Sequence, residues 1–166
     1  TAGTEASGTG CMKFMMNGAL TLGTRDGATI EIAEEAGEEN FFLFGLTADQ
    51  VAGSRDWYSP YWHYDNEAET RAALDMISSD YFSRNEPGVF EPTLRAILTG
   101  GDHYMHLADL TSYLDADRRL CDLYADPDGW TRKAILNVAG SGKFSSDRTI
   151  AEYASDIWNV IACPVT

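Results

Sequence analysis

Lys13 stands three residues beyond Gly10 in the string Glu5-Ala6-Ser7-Gly8-Thr9-Gly10-Cys11-Met12-Lys13-Phe14. Lysine is the side chain that forms Schiff bases with aldehydes. Gly8 and Gly10 permit a tight turn and close backbone approach to a ligand, and the residues that follow are good helix formers. The N–H groups of a first helical turn, near Thr9 and Gly10, would then be free to receive an anion such as a phosphate. Taken alone, a glycine-spaced turn before a helix is common, and its plain reading is a loop followed by a snorkelling surface lysine.

The surrounding chain must hold this turn in place. From residue 9 to about 19, Met12, Phe14, Met15, Met16 and Ala19 leave apolar groups on most sides, which predicts a helix covered by neighbours on several faces. Residues 20–23 read as a short buried strand, and residues 41–44 as a second one ended by Gly45. Between them, Thr29-Ile30-Glu31-Ile32 alternates like a strand, whereas Ala33-Glu34-Glu35-Ala36 favours a helix. Two parallel strands require a crossover of about a dozen residues, usually helical. The segment is therefore assigned to a helix with Thr29 as N-cap, Glu31 in the first turn and Gly37 as terminator.

Beyond residue 46 the pattern is mainly helical. Trp57, Tyr58, Tyr61, Trp62 and Tyr64 form an aromatic cluster that would suit sugar stacking, but an irregular surface segment anchored by these rings is the expectation. Residues 67–79 have helical spacing, with Ala73, Leu74 and Ile77 apolar; Pro87 and Pro92 then mark a loop. Leu94, Ile97 and Leu98 suggest a helix closed by Gly100-Gly101. His103 and His106 lie near Asp102 and Asp109, yet two histidines three residues apart are more simply partly exposed groups than metal ligands. A helix over 110–125 would turn Tyr113, Leu114, Leu120, Cys121 and Tyr124 to the core, with Asp126-Pro127-Asp128-Gly129 as its stop. Another spans 130–139. The following Gly140-Ser141-Gly142-Lys143 imitates a phosphate-binding loop, but Asn137 and Phe144 stand where that motif needs glycine and Ser or Thr. In the last helix, from Ser146, Ile150, Tyr153, Ala154, Ile157 and Trp158 recur as one apolar stripe that needs a partner surface.

Composition narrows the function classes. Twelve Lys plus Arg against 26 Asp plus Glu give a net charge of −14, which repels nucleic acid and anionic membranes. Acids such as Glu34, Glu35, Glu38 and Glu39 lack histidine partners and read as a solvated face rather than a metal site. Cys11, Cys121 and Cys163 are odd in number and widely spaced, so a disulfide framework is not indicated and a reducing cytoplasm fits. No apolar run approaches the roughly 20 residues of a membrane span.

The ten-residue string from Glu5 to Phe14 resembles the pyridoxal-phosphate segment of the α-glucan phosphorylases, which act on glycogen, starch or maltodextrin. The likeness continues through residues 16–24, 26–28, 33–40 and 142–150, and is weakest over 48–75. Cys11 stands where the family usually has asparagine, replacing an amide with a weak thiol. The resemblance implies an α/β fold: a partial Rossmann-like C-terminal domain of a two-domain retaining glycosyltransferase of the GT-B type, followed by a mainly helical tail. Residues 1–46 would be the cofactor loop and strand-helix-strand core, and 47–166 the mainly helical remainder. The chain, opening at Thr1, is then expected to be the C-terminal portion of a longer protein and inactive alone.

The resemblance further implies pyridoxal 5'-phosphate as cofactor, with Lys13 as its covalent anchor and N–H groups near Thr9 and Gly10 around its phosphate. Glu5, Ser7 and Gly8 would meet the transferred glucose. The intact enzyme would be a cytoplasmic homodimer that moves a glucosyl unit from an α-1,4-glucan to inorganic phosphate, giving glucose 1-phosphate. Two other functions remain open: a nucleotide-sugar glycosyltransferase of the same fold, which needs no Schiff-base lysine, and a non-catalytic glucan- or partner-binding module using the aromatic cluster.

Overall fold

A computed structural model describes residues 1–4, 7–161 and 163 of the chain. Helix α1, Thr9–Met16, leads into strand β1, Leu22–Thr24; helix α2, Gly27–Ala36, and a single 3-10 turn then return the chain to strand β2, Phe42–Phe44. The strands are parallel, with Leu22 opposite Phe42, Gly23 opposite Leu43 and Thr24 opposite Phe44. The strand-helix-strand unit expected from the crossover argument is present.

Its helix starts earlier than expected. Asp26, in extended conformation, occupies the N-cap position, and Thr29 lies in the first turn rather than before it. The reason is local. The Thr29 hydroxyl donates to the carbonyls of Thr24 and Asp26, so it secures the strand-to-helix turn from inside the helix. Gly23 is needed opposite it, since a Cβ there would lie 2.8 Å from Thr29 Cγ2. The far end behaves as expected: Gly37 ends α2 at φ +87°, a conformation that glycine adopts without steric cost.

The buried positions of α2 are Thr29, Ile32, Ala33 and Ala36, one face at helical spacing. Ile32, Ala33 and Ala36 join Met15 of α1 and Phe41 in the first core cluster, with Cys11, Met12, Leu43 and Phe144 packed against it. Only the Cys11, Met12 and Met15 side of α1 therefore reaches a core. Phe14 and Met16 are exposed, which corrects the expectation that neighbours cover this helix on several faces; within this chain one face suffices to dock it.

The remaining elements are helical: α3, Ala48–Ser54; α4, Pro60–Asn66; α5, Ala68–Ser78; α6, Glu91–Ile97; α7, His106–Tyr124; α8, Pro127–Gly140; and α9, Ser146–Glu152, which runs into one π-helical turn, Tyr153–Ile157. Thr47 and Gln50 close a reciprocal capping box on α3, satisfying two otherwise orphaned N–H groups. The aromatic segment is not irregular, because Pro60 opens α4 within it. Pro92 likewise sits in the first turn of α6 rather than in a loop, a position where its missing N–H costs nothing. Asp126 caps α8 through Gly129 N–H, 3.1 Å.

Helix α7 buries Leu107, Asp109 and Ala116. Tyr113, Cys121 and Tyr124 are exposed, and Leu114 and Leu120 only half-buried, so the expected core face is corrected: α7 meets β2 and its following turn through Asp109, Ser112 and Tyr113, with Arg119 over the Phe42 ring. There Asp109 Oδ1 accepts Leu46 N–H at 2.8 Å, Ser112 Oγ accepts Gly45 N–H at 2.9 Å, and Tyr113 meets Phe44 edge-on at 5.2 Å. Helix α8 approaches α2 so closely that a Cβ on Gly140 would lie 2.8 Å from the Glu35 carbonyl. The Gly140-Ser141-Gly142-Lys143 stretch is thus a helix end followed by a 3-10 turn. The apolar stripe of the last helix, Ile150, Tyr153, Ile157 and Trp158, is exposed.

Gly45 generates a stability prediction. Its φ is +82°, and a Cβ would come within 2.8 Å of the Asp109 carboxylate. Gly45→Ala should lose about 1–3 kcal/mol, read from the shift in urea midpoint; an unchanged midpoint would refute the tie between β2 and α7.

Candidate functional site

The first turn of α1 is built from Gly8, Thr9, Gly10 and Cys11. Gly8 takes the N-cap position and supplies no side-chain cap. Ser7, one residue earlier, instead accepts Thr9 N–H at 3.4 Å and donates to Thr9 Oγ1 at 3.1 Å. The first backbone bond of the helix runs from Met12 N–H to the Gly8 carbonyl, 3.1 Å. The N–H groups of Gly10 and Cys11 have no acceptor among the described residues, and space around Gly10 is open, with nothing within 4 Å of where a Cβ would stand. Such a helix start carries a partial positive charge and donors directed outward.

Lys13 lies four residues after Thr9, on the same face, and side chains on a helix lean toward its N-terminus. Its side chain is exposed, and its ammonium has no hydrogen-bond or ion-pair partner among the described residues. Lys13 is thus presented to solvent, as the reading of a surface lysine has it, while Cys11, Met12 and Met15 hold the opposite side. Cys11 faces the first core cluster, where a thiol acts as a small apolar group.

The loop in front is tethered at two places. Ala2 is fully buried in a second cluster with Val51 and Met105, and Thr4 N–H donates to Asp26 Oδ2 at 3.1 Å. Asp26, although an N-cap, makes no capping bond with its side chain, so its carboxylate links the β1–α2 turn to the leading loop. Ser7, Gly8, Thr9, Gly10 and Lys13 are thus brought together at one end of α1; Glu5 lies outside the described residues.

A polar centre that the sequence argument missed supports the second cluster. Asp102, 2% exposed, accepts the Tyr58 hydroxyl at 2.7 Å and Leu107 N–H at 2.9 Å through Oδ2, and meets His106 Nδ1 at 2.8 Å through Oδ1. Burial alone would raise its carboxyl pKa, but the bonds from Leu107 N–H, Tyr58 and His106 outweigh burial and hold it below the usual carboxylate value. Tyr58 is pushed well above an ordinary phenol by burial and by its bond to that carboxylate. Attention to His103 and His106 hid this arrangement; the signal was Asp102 and His106 at i, i+4. Among the described residues no group of three or more His, Cys, Asp and Glu is placed to hold a metal ion, and no helix is long and apolar enough to cross a membrane.

The chain is mostly helical with a small parallel sheet, and among the described residues the glycine-led start of α1 is open, with Lys13 exposed one turn inside it. The chain belongs to the carbohydrate phosphorylase family, whose model matches residues 1–160. It is 53% identical over 161 residues to a glycogen phosphorylase of Synechocystis, 52% over 161 to the human brain form and 48% over 160 to that of Chlamydia pneumoniae. Each alignment covers 96% of this chain and 19% of the relative, so the chain spans about a fifth of the length of these proteins.

The Asp102 centre sets a pH dependence. A carboxyl depressed by folding adds stability above its unfolded value, about 3.9, and that contribution disappears as pH falls through the lower folded value. Urea midpoints should therefore decline as pH drops below about 4. The Asp102→Asn protein should be less stable at neutral pH and show a shallower acid decline; an identical acid profile would dismiss the centre.

Proposed function

We propose that the intact polypeptide containing this chain is an α-glucan phosphorylase of the retaining GT-B type, in which the β1–α2–β2 unit belongs to the Rossmann-like C-terminal domain. The observation that carries this reading is the exposed Lys13, without a polar partner among the described residues, on the same face as the open first turn of α1. Residues 1–46 form the cofactor loop and its strand-helix-strand support, and 47–166 the mainly helical remainder. The protein works as a cytoplasmic homodimer.

The residues present fit pyridoxal 5'-phosphate. Among the described residues the N–H groups of Gly10 and Cys11 have no acceptor, Gly10 leaves room for a phosphate to approach, and Lys13 can serve as covalent anchor. When bound, this cofactor supplies a phosphate for acid–base work beside the substrate phosphate. Thr9 and Gly10 cradle the phosphate through the helix start, while Ser7 holds Thr9 in register by their mutual bonds. Glu5, Ser7 and Gly8 are assigned to the transferred glucose: a carboxylate accepts from sugar hydroxyls, and N–H groups donate to them. The Thr4–Asp26 bond fixes the approach of this loop. The substrates are α-1,4-glucan and inorganic phosphate, and the product is glucose 1-phosphate. A nucleotide-sugar transferase of the same fold has no use for Lys13 as an anchor.

Borohydride reduction of the intact protein, followed by peptide mass mapping, should place the cofactor on Lys13. A label on Lys133 or Lys143, or none, would defeat the assignment. The isolated 166-residue chain with added cofactor should release no glucose 1-phosphate from glucan and phosphate, because misplacing catalytic groups by about 1 Å can already cost on the order of a hundredfold. Turnover matching that of the intact protein would show that the catalytic groups all reside in this chain.

A further inference from the structure

We infer that Asp26 is a positioning residue for the sugar end of the site: its carboxylate fixes the stretch that carries Glu5, Ser7 and Gly8, and so sets glucose affinity separately from cofactor attachment. The ligand rests on the proposed function; the positioning rests on where this side chain is used. Asp26 holds the N-cap position of α2 in extended conformation, φ −149° and ψ 148°. That residue type and backbone ordinarily cap a helix by accepting an N–H of its first turn. The Asp26 side chain makes no such bond. Its Oδ2 instead accepts Thr4 N–H at 3.1 Å, from 22 residues earlier in the chain.

The turn between β1 and α2 does not need that carboxylate. Thr29 secures it from within the helix, its hydroxyl donating to the Thr24 and Asp26 carbonyls and its N–H to the Asp26 carbonyl at 3.1 Å. Thr29 is buried, so little water competes for these bonds. With the turn held by another residue, the Asp26 side chain ties two distant segments together, and an ionised acceptor makes that tie stronger than a neutral one would.

Two fixed points then bracket the residues assigned to glucose. Upstream, Thr4 is held by Asp26 and by its own hydroxyl, which donates to the Thr1 carbonyl at 2.7 Å. Downstream, Ser7 and Thr9 hold each other. Only three Cα steps of about 3.8 Å each separate Thr4 from Ser7, so the position of Thr4 limits where the intervening chain can run. Without the Asp26 bond, the next upstream mooring among the described residues is buried Ala2, and the span to Ser7 lengthens to five steps. Lys13 and the N–H groups of Gly10 and Cys11 are placed differently, by the packing of Met15 and its neighbours in the first cluster. Loss of the Asp26 bond therefore loosens the sugar contacts and leaves the cofactor end in place.

The test uses the intact protein and three variants, Asp26→Asn, Asp26→Ser and Asp26→Ala. Asparagine keeps an acceptor within reach of Thr4 N–H; serine can cap α2 but is too short to reach Thr4; alanine does neither. Calorimetry measures glucose binding, phosphorolysis gives KM for maltoheptaose and for phosphate, borohydride trapping gives cofactor content, and hydrogen exchange reports backbone protection over residues 1–7 and 9–16. The Ser and Ala variants should bind glucose about fivefold more weakly, the scale of one hydrogen bond. Maltoheptaose KM should rise alike, phosphate KM and cofactor content should stay at wild-type values, and faster exchange should be confined to residues 1–7. The Asn variant should recover most of the glucose affinity. A Ser variant that binds glucose like the wild type would show that Asp26 serves only the helix start and would overturn the inference, as would cofactor loss that tracks the fall in glucose affinity. A wild-type protein that neither binds glucose nor phosphorolyses maltoheptaose would overturn the proposed function, and the sugar assignment with it, whatever the exchange rates.

Discussion

Parallel pairing of β1 and β2 is the constraint from which the arrangement of α1 and α2 follows. Two strands running the same way cannot be joined by a tight turn, and the crossover must be long enough to return the chain to its starting edge. That requirement creates α2. The inner face of α2 supplies Ile32, Ala33 and Ala36, and those residues are what Met15 packs against. Helix α1 is thus docked by one buried methionine and its neighbours, and docking it on that side presents Lys13 on the other. The exposure of the lysine is a packing consequence of strand direction, several steps removed from any local feature of the lysine itself.

The helical remainder is joined to the sheet by polar ties rather than by a continuous apolar face. Gly45 and Leu46 give their N–H groups to Ser112 and Asp109, which satisfies a loop that would otherwise bury unpaired donors. Asp102 does the same work for the start of α7. Both centres bury a carboxylate, and in each it is hydrogen-bonded: Asp102 to Tyr58, Leu107 N–H and His106, and Asp109 to Leu46 N–H.

How much of this could be read in the sequence depended on the range of the interaction involved. The strand-helix-strand order followed from short apolar runs, Gly37 and the crossover rule, all of them local or topological. The start of α1 followed from Gly8 and Gly10. The N-cap of α2 was misassigned because Thr29 and Asp26 both have capping side chains, and only the strand end shows which one secures the turn. The core face of α7 was misread for a different reason. Tyr113, Cys121 and Tyr124 are apolar enough to be buried, but it is Asp109 that α7 buries beside the end of β2, and a buried aspartate gives no periodic apolar signal. Asp102 was legible only in part, since His106 and Leu107 lie within one turn or so of it whereas Tyr58 comes from a distant segment. The family was legible only through the resemblance that starts from the Glu5 to Phe14 string, on which the proposed cofactor and sugar contacts also rest; its residue types alone allow many anion-binding turns.

Ala2 is buried in the second cluster, and Met15 in the first. The stretch carrying Ser7, Gly8 and Thr9 therefore runs between two separate cores, like a cable moored at both ends. Its tension is set jointly by packing around Val51 and Met105 and by packing around Ile32 and Phe41. Sequence drift in either core is consequently not silent for the other: relatives that alter Met105 must preserve the mooring of Ala2, or the alignment of the first turn of α1 will drift with it although every residue of that turn is retained.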